Sequence, residues 1–147
     1  MRISDYALAI FLGVVLAVHL AMNAKVGSAL ANPRVANAFF WCVGAFTAVV
    51  IGATGWRTGA LSGIKDVHPA LLTAGALGAC LVFAIAWMTP RVGAQSVFIT
   101  LIAGQVIASM VMSHFGWLGS PVQRVSLTNV IGAIVMFGGV LLATHVA

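Results

Sequence analysis

Acidic side chains are nearly absent from this chain, which carries only Asp5 and Asp66 among 147 residues. Both lie outside the long apolar runs, so the sequence offers no pair of carboxylates for acid–base catalysis and no Ser–His–Asp set. Cys42 and Cys80 lie in separate apolar runs without metal-ligand spacing, and we expect them to be small buried residues. The sequence therefore predicts no enzyme, no metal site and no cofactor.

Charged residues of both signs are also scarce. They make up 6% of the chain, against 62% hydrophobic residues and a mean hydropathy of +1.13, whereas soluble domains carry roughly 25% charged residues. Five apolar runs reach the length of about 20 residues that crosses a bilayer. They cover residues 6–24, 35–54, 69–88, 94–115 and 126–146. We predict an all-α integral membrane protein in which residues 1–147 form a single transmembrane domain of five helices, with the lipid bilayer as its first partner.

The seven basic residues lie at the ends of these runs without forming a cluster, so we expect no nucleic-acid partner. Four would share the side of the N-terminus: Arg2, Arg57, Lys65 and Arg124. Three would share the other side: Lys25, Arg34 and Arg91. Orientation follows the bias of Lys and Arg between the two sides, and here the bias is small. The chain is thus expected to insert both ways and to pair with a second copy of itself as an antiparallel homodimer, which would create an inverted repeat. A single orientation, with a parallel dimer or a different partner chain, stays open.

Small residues recur at four-residue spacing on three of the runs, a pattern typical of closely packed membrane helices. The stripes are Ala9, Gly13, Ala17 and Ala21; Gly44, Ala48 and Gly52; and Gly104 with Ala108. Helix starts are predicted at Asn32–Pro33, a capping residue before proline, and at Ser126, whose hydroxyl is placed to accept from the Asn129 amide.

Polar residues inside the runs are the main functional signal, because they usually face a bundle interior or a wet cavity. His19 and Asn23 are four residues apart and share one helix face. Gln95, Gln105, Ser109 and Ser113 fall within an arc of about 80° on the fourth run. The predicted substrate-binding residues are His19, Asn23, Asn37, Trp41, Trp87, Gln105 and Ser109. The alternative interpretation is hydrogen bonding between helices for the amides and an interfacial aromatic belt for the tryptophans.

Several segments also follow one another in a distinctive order. They are His19–Gly27, Pro33 with Asn37 and Gly44, Thr89–Ala94, Ala103–Gln105, His114–Gly116 and Gly132–Gly139. In this order they resemble the YdcZ-like branch of the drug/metabolite transporter superfamily. The resemblance covers essentially the whole chain and implies a five-helix half-transporter of the inner membrane. Larger members of that superfamily contain two inverted five-helix halves, and its smallest members work as antiparallel dimers.

Residue by residue, the matching positions are Asn23, Gly27, Gln105, His114 and Gly116. His19 stands where the resemblance leads us to expect Gln, and Ser113 stands where it leads us to expect Asp before His114. The small multidrug-resistance relatives exchange protons for cationic drugs through a glutamate in the first helix, and this chain has no such acid. His19 is therefore the proton-coupling candidate, because histidine titrates near neutral pH.

The resulting hypothesis is a secondary transporter, an exporter of a small molecule or metabolite by alternating access as a homodimer. Without a buried carboxylate, the chain favours neutral, zwitterionic or anionic substrates over lipophilic cations. Two alternatives stay open: a non-transporting membrane subunit that regulates or scaffolds a partner, and one half of a heterodimeric transporter.

Overall fold

The computed structural model describes residues 3–145, and this range contains helices and short connections but no strand. Arg2, counted above among the basic residues, and Val146, the predicted end of the fifth run, lie outside the described residues. The helices are α1 (Ile3–Ala29), α2 (Pro33–Thr54), α3 (Pro69–Leu72), α4 (Ala74–Val92), α5 (Ala94–Phe115) and α6 (Leu127–His145). Short 3₁₀ segments cover Ser62–Asp66 and Trp117–Gly119. Five helices, all except α3, are long and apolar enough to cross a membrane, which confirms the predicted class.

The helix of the third run is interrupted near its start. Pro69 begins α3, and Nδ1 of His68 accepts a hydrogen bond from the Ala70 N–H at 3.3 Å. Thr73 ends α3 with a ψ of −1°, and its hydroxyl donates to the Ala70 carbonyl at 2.7 Å. The long helix of this run is consequently α4, which covers residues 74–92 instead of the predicted 69–88.

A tight connection joins α1 to α2. Oδ1 of Asn32 accepts from the Arg34 and Val35 amides at 3.2 and 3.3 Å, with Pro33 as the first helical residue. This confirms the predicted cap. The two helices are close at Gly27, where an added Cβ would be in ordinary van der Waals contact with the Pro33 Cα at 3.5 Å.

The small-residue stripes do not form packing faces within the described chain. A Cβ added to Gly13, Gly44, Gly52 or Gly104 would meet nothing within 4 Å. The buried residues of α1 lie instead on the face that carries Leu20, Asn23, Ala24 and Gly27. The expectation of buried cysteines was wrong, since Cys42 and Cys80 are exposed at the surface of the chain. An apolar helix can turn any face to lipid, so small apolar residues need not face the interior of their own chain.

The chain divides into two compact units, an N-terminal unit that ends at Arg91 and a C-terminal unit that begins at Val92. Within the N-terminal unit, α1 packs on α2. Within the C-terminal unit, α5 packs on α6, and Nε2 of Gln95 donates to the Ala143 carbonyl at 3.2 Å. An apolar cleft of about 410 Å³ lies between these two helices and includes Phe137 and His114 among its lining residues.

The connection between α5 and α6 is held by hydrogen bonds that its amides donate to acceptors at the end of α5. The Gln123 N–H donates to the Ser113 carbonyl at 2.8 Å, and the Val125 N–H donates to Nδ1 of His114 at 3.1 Å. Ser126 then caps α6, because its hydroxyl accepts from the Asn129 amide at 3.2 Å, as predicted. The Asn129 Oδ1 in turn accepts from the Ser126 N–H at 2.9 Å, a reciprocal arrangement like that of a capping box.

Gly116 is the residue on which this connection depends. It ends α5 in the left-handed region with a φ of +67°, and a Cβ would stand 2.7 Å from Cγ2 of Val122. We expect Gly116→Ala to lower the free energy of unfolding by about 1–2 kcal/mol or more, since a side chain strains this conformation and also clashes. The measurement is thermal unfolding of the purified protein in detergent micelles. Gly104→Ala, in the open middle of α5, is the control and should be neutral or stabilising. Equal unfolding temperatures for Gly116→Ala and the wild type would contradict this account.

Candidate substrate site

Three side chains of the N-terminal unit have buried polar atoms that lack a hydrogen bond within the described chain. Asn23 is only 3% exposed, and neither its Oδ1 nor its Nδ2 has a partner among the described residues. Oδ1 of Asn37 and Nε1 of Trp41 are likewise buried and unpaired within the described chain. Buried polar groups in proteins are almost always hydrogen-bonded, so three exceptions in one unit need an explanation.

Asn37 and Trp41 both face α4 from α2. Nδ2 of Asn37 donates to the Ala79 carbonyl at 3.3 Å. One turn further along α2, the indole of Trp41 lies against Gly78, where a Cβ would be only 3.3 Å from its Cη2. The absence of a side chain at Gly78 thus allows the edge of the indole to lie this close to α4.

Aromatic rings connect α1 to the same region. The His19 imidazole stacks on Phe40, with centroids 5.6 Å apart and planes inclined by 26°. Phe40 in turn contacts Trp41 edge to face at 5.8 Å. His19, which is half-buried, therefore belongs to a row of three rings that runs from α1 across α2 to Gly78 of α4.

The helix register places Asn23 close to the level of Asn37. On α1, Gly27 lies opposite Pro33 and Ala36, and His19 lies opposite Phe40. Asn23 is midway between Gly27 and His19, and its level along the helix pair therefore falls between Ala36 and Phe40. His19, Asn23, Asn37 and Trp41 thus occupy one band of the N-terminal unit, about one helical turn deep.

Trp87 lies near the end of α4 and is paired with a residue that the sequence analysis did not select. The guanidinium carbon of Arg91 sits 3.9 Å from the centroid of the Trp87 ring, a cation–π contact. The same guanidinium donates a hydrogen bond to the Trp87 carbonyl. Trp87 is 44% exposed, and it borders an opening at the surface of the unit.

Two adjoining cavities lie between α2 and α4, an outer one at the helix ends and an inner one about a turn further along α2. The outer one has a volume of about 280 Å³ and is lined by Asn32, Pro33, Arg34, Phe83, Trp87 and Arg91, together with Ala31. The inner one has a volume of about 320 Å³ and extends from Arg34 and Phe83 to Asn37. Since both cavities share Arg34 and Phe83, they form one continuous groove that reaches the Asn37 side chain and is open to the surface at the exposed Cys80.

The remaining predicted residues belong to the C-terminal unit. Gln105 is exposed on α5, and Ser109, one turn later, is exposed and donates to the Val106 carbonyl of its own helix at 2.8 Å. Of the other polar residues on this face, Gln95 bonds to α6, and the hydroxyls of Ser113 and Ser120 share a hydrogen bond at 3.2 Å. Gln105 is thus the residue of the stripe that keeps an amide available at the surface of its unit, and its role in substrate binding stays a prediction, as does that of Ser109.

The arrangement in the N-terminal unit is suited to binding a ligand. It offers unpaired amide and indole groups, aromatic faces and two guanidinium groups. No group of three or more potential metal ligands occurs among residues 3–145. Sequence analysis missed Arg34 and Arg91 as site residues, because it counted them only as charges at span ends. The four-residue spacing of Trp87 and Arg91 was the available signal, since it places both on one helix face.

Comparison with known proteins gives one result. Residues 6–142 match a family model described as "Putative inner membrane exporter, YdcZ". No curated protein and no solved structure matches the chain.

Asn23 and Asn37 give a test of whether the site is held open for a ligand. Asn23→Leu removes a side chain with no hydrogen bond inside the described chain, so the protein should be as stable as the wild type or more stable. Asn37→Leu removes the bond to Ala79, worth about 0.6 kcal/mol for an average bond between membrane helices, and should be destabilising. Both are compared by unfolding in mixed detergent micelles. If Asn23→Leu is the less stable of the two, Asn23 has a structural partner and the interpretation as an open site is wrong.

Proposed function

This chain belongs to the YdcZ family of inner-membrane exporters, and we propose that it is a secondary transporter that exports a small molecule by alternating access as an antiparallel homodimer. Membership makes it a multi-pass inner-membrane protein with a transport function. The family is one of transporters rather than enzymes. The proposal concerns the mechanism, the assembly and the residues that bind the substrate.

The observation that carries the proposal is the set of unpaired buried groups on α1 and α2. Each unpaired polar atom away from water costs stability, and membrane-embedded polar residues are retained mainly for function. A substrate that bonds to Asn23, Asn37 and Trp41 would satisfy these atoms. The same amides would be expected to pair with other helices if the chain were only a scaffold, and Asn37 meets that expectation with one of its two polar atoms.

The homodimer is supported by the surface of the chain. A stripe of small residues on α1 consists of Ala9, Gly13, Ala17 and Ala21. A Cβ added to Gly13 would meet no atom of the described chain within 4 Å, so the stripe has space for a helix of a second copy, which small residues allow to approach closely. The near-equal division of Lys and Arg between the two faces favours insertion in both orientations. Two inverted copies would then form the inverted repeat that secondary transporters use for alternating access.

His19 is proposed to couple export to protons. It is half-buried, its ring stacks on Phe40, and Phe40 contacts Trp41 of the unpaired set. A change in its charge would therefore act close to the proposed substrate position. Asn23 lies four residues after His19, one turn away on the same face of α1.

An export experiment tests the substrate site. Bacterial cells that carry the wild type, Asn23→Leu, Thr47→Val or an empty vector are grown in the same medium, and mass spectrometry compares the metabolites outside the cells. We expect at least one metabolite to accumulate with the wild type and with Thr47→Val, whose exposed hydroxyl bonds only to its own helix. Asn23→Leu should return that metabolite to the vector level, because the amide that binds it is gone.

The same assay includes His19→Gln, which should retain export but lose its dependence on the pH of the medium. Export by Asn23→Leu at the wild-type level would overturn the proposed site. No difference between wild type and vector in any metabolite would favour the alternative of a regulatory subunit.

A topology experiment tests the assembly. The C-terminus is fused separately to a reporter active only in the cytoplasm and to one active only outside the membrane. We expect strong signals from both fusions, because the basic residues do not favour one orientation. A signal from only one would rule out the antiparallel homodimer and would favour a parallel dimer or a heterodimeric partner.

A further inference from the structure

The outer cavity of the N-terminal unit brings together two cations and no anion. Arg34, from the first turn of α2, and Arg91, from the last turn of α4, line the same space of about 280 Å³. Among the described residues, no acidic side chain lines it. Arginines at span ends commonly do no more than flank the membrane. Two arginines from different helices that line the same cavity can, in addition, contact one ligand together.

The acids of the chain are too far along their helices to neutralise this pair. The chain has only two, Asp5 and Asp66. Asp5 lies in the first turn of α1, about 36 Å along that helix from Ala29, next to the cavity end of α1. Asp66 follows the far end of α2, which lies about 30 Å along the helix from Arg34. The charge of Arg34 and Arg91 is therefore available to a ligand.

Arg91 is held in position before any ligand arrives. Its stacking on Trp87 and its hydrogen bond to the Trp87 carbonyl restrict its side chain. A guanidinium has five N–H donors, so one bond to a carbonyl leaves the others for a ligand. Such a planar, restrained group suits the two-point recognition of phosphate or carboxylate. By contrast, the first amides of α2 are already bonded to the Asn32 side chain, so the arginines and not the helix end supply the donors.

We propose that Arg34 and Arg91 form a binding site for an oxyanion, a phosphate or carboxylate group carried by a small molecule or a lipid headgroup. The inner cavity continues from Arg34 to Asn37, so a ligand held by its anionic group at the opening reaches the unpaired amide with the rest of its structure. If the ligand is the transported substrate, that substrate is an organic anion, and this identification rests on the proposed function. Binding itself is measured without transport.

The test uses the full-length protein in a neutral detergent, with glycerol 3-phosphate as the soluble probe and glycerol as the uncharged control. Calorimetry should detect binding of glycerol 3-phosphate but not of glycerol. Arg34→Gln and Arg91→Gln should each weaken binding about tenfold or more, the effect of removing a charged hydrogen-bond donor. Arg57→Gln, an arginine in the connection beyond the other end of α2, should bind like the wild type. Arg91→Lys, which retains the charge without the planar fork, should fall between the wild type and Arg91→Gln.

A lipid arm distinguishes the two sources of the oxyanion. Native mass spectrometry compares retention of phosphatidylglycerol and phosphatidylcholine by the same variants. Retention of phosphatidylglycerol that depends on Arg34 and Arg91, without binding of glycerol 3-phosphate, would assign the site to a lipid headgroup and overturn only the statement about the substrate. Absence of both interactions, or equal losses in Arg57→Gln, would overturn the oxyanion site. Neither result bears on the export of metabolites through Asn23, so failure of the site and failure of the transport proposal are distinguishable.

Discussion

Polar groups in hydrocarbon must find their hydrogen bonds within the protein, and this constraint determines most of the structure. The backbone meets it through five long helices. Several hydroxyl groups inside the spans meet it by donating to a carbonyl of their own helix, as Thr47, Thr89 and Thr144 do. The buried atoms of Asn23, Asn37 and Trp41 differ, because they have no partner within the described chain. They identify the candidate site on physical grounds, independently of any family comparison.

The features that could be predicted from sequence are those that a short stretch of chain determines by itself. The five spans follow from local hydropathy, and the caps at Asn32 and Ser126 follow from one side chain and the amides a few residues later. Asn23, Asn37 and Trp41 could also be selected, because an amide or an indole within an apolar run is conspicuous whatever its surroundings. The match of residues 6–142 to the exporter family agrees with the resemblance noted from the order of short segments.

The features that could not be predicted depend on which face of a helix meets another helix. In water an apolar stripe must be buried, but in a membrane the same stripe is stable whether it faces lipid or another helix. The Ala9–Ala21 stripe therefore did not reveal which face of α1 packs against the rest of the chain. The face that packs within the described chain includes Asn23 and Gly27 instead. The close contact of Trp41 with Gly78 required knowledge that α2 and α4 touch at that level. Arg34 and Arg91 were missed as a pair for the same reason, since 57 positions separate them in sequence while one cavity joins them.

The scarcity of acids connects these observations to a mechanism. A carboxylate in the path would best match a transported cation, and the only acid within the described spans is Asp5, in the first turn of α1. With arginines at the opening and neutral amides further inside, the charge that is missing is a negative one, and an anionic substrate would supply it. In the proposed antiparallel homodimer, each copy would present its Arg34–Arg91 pair at one face of the membrane, so both faces would have an equivalent cationic opening. Attraction at the two openings would then be balanced, and the direction of export would have to come from a coupled gradient, for which His19, one turn from Asn23, is the proposed coupling group.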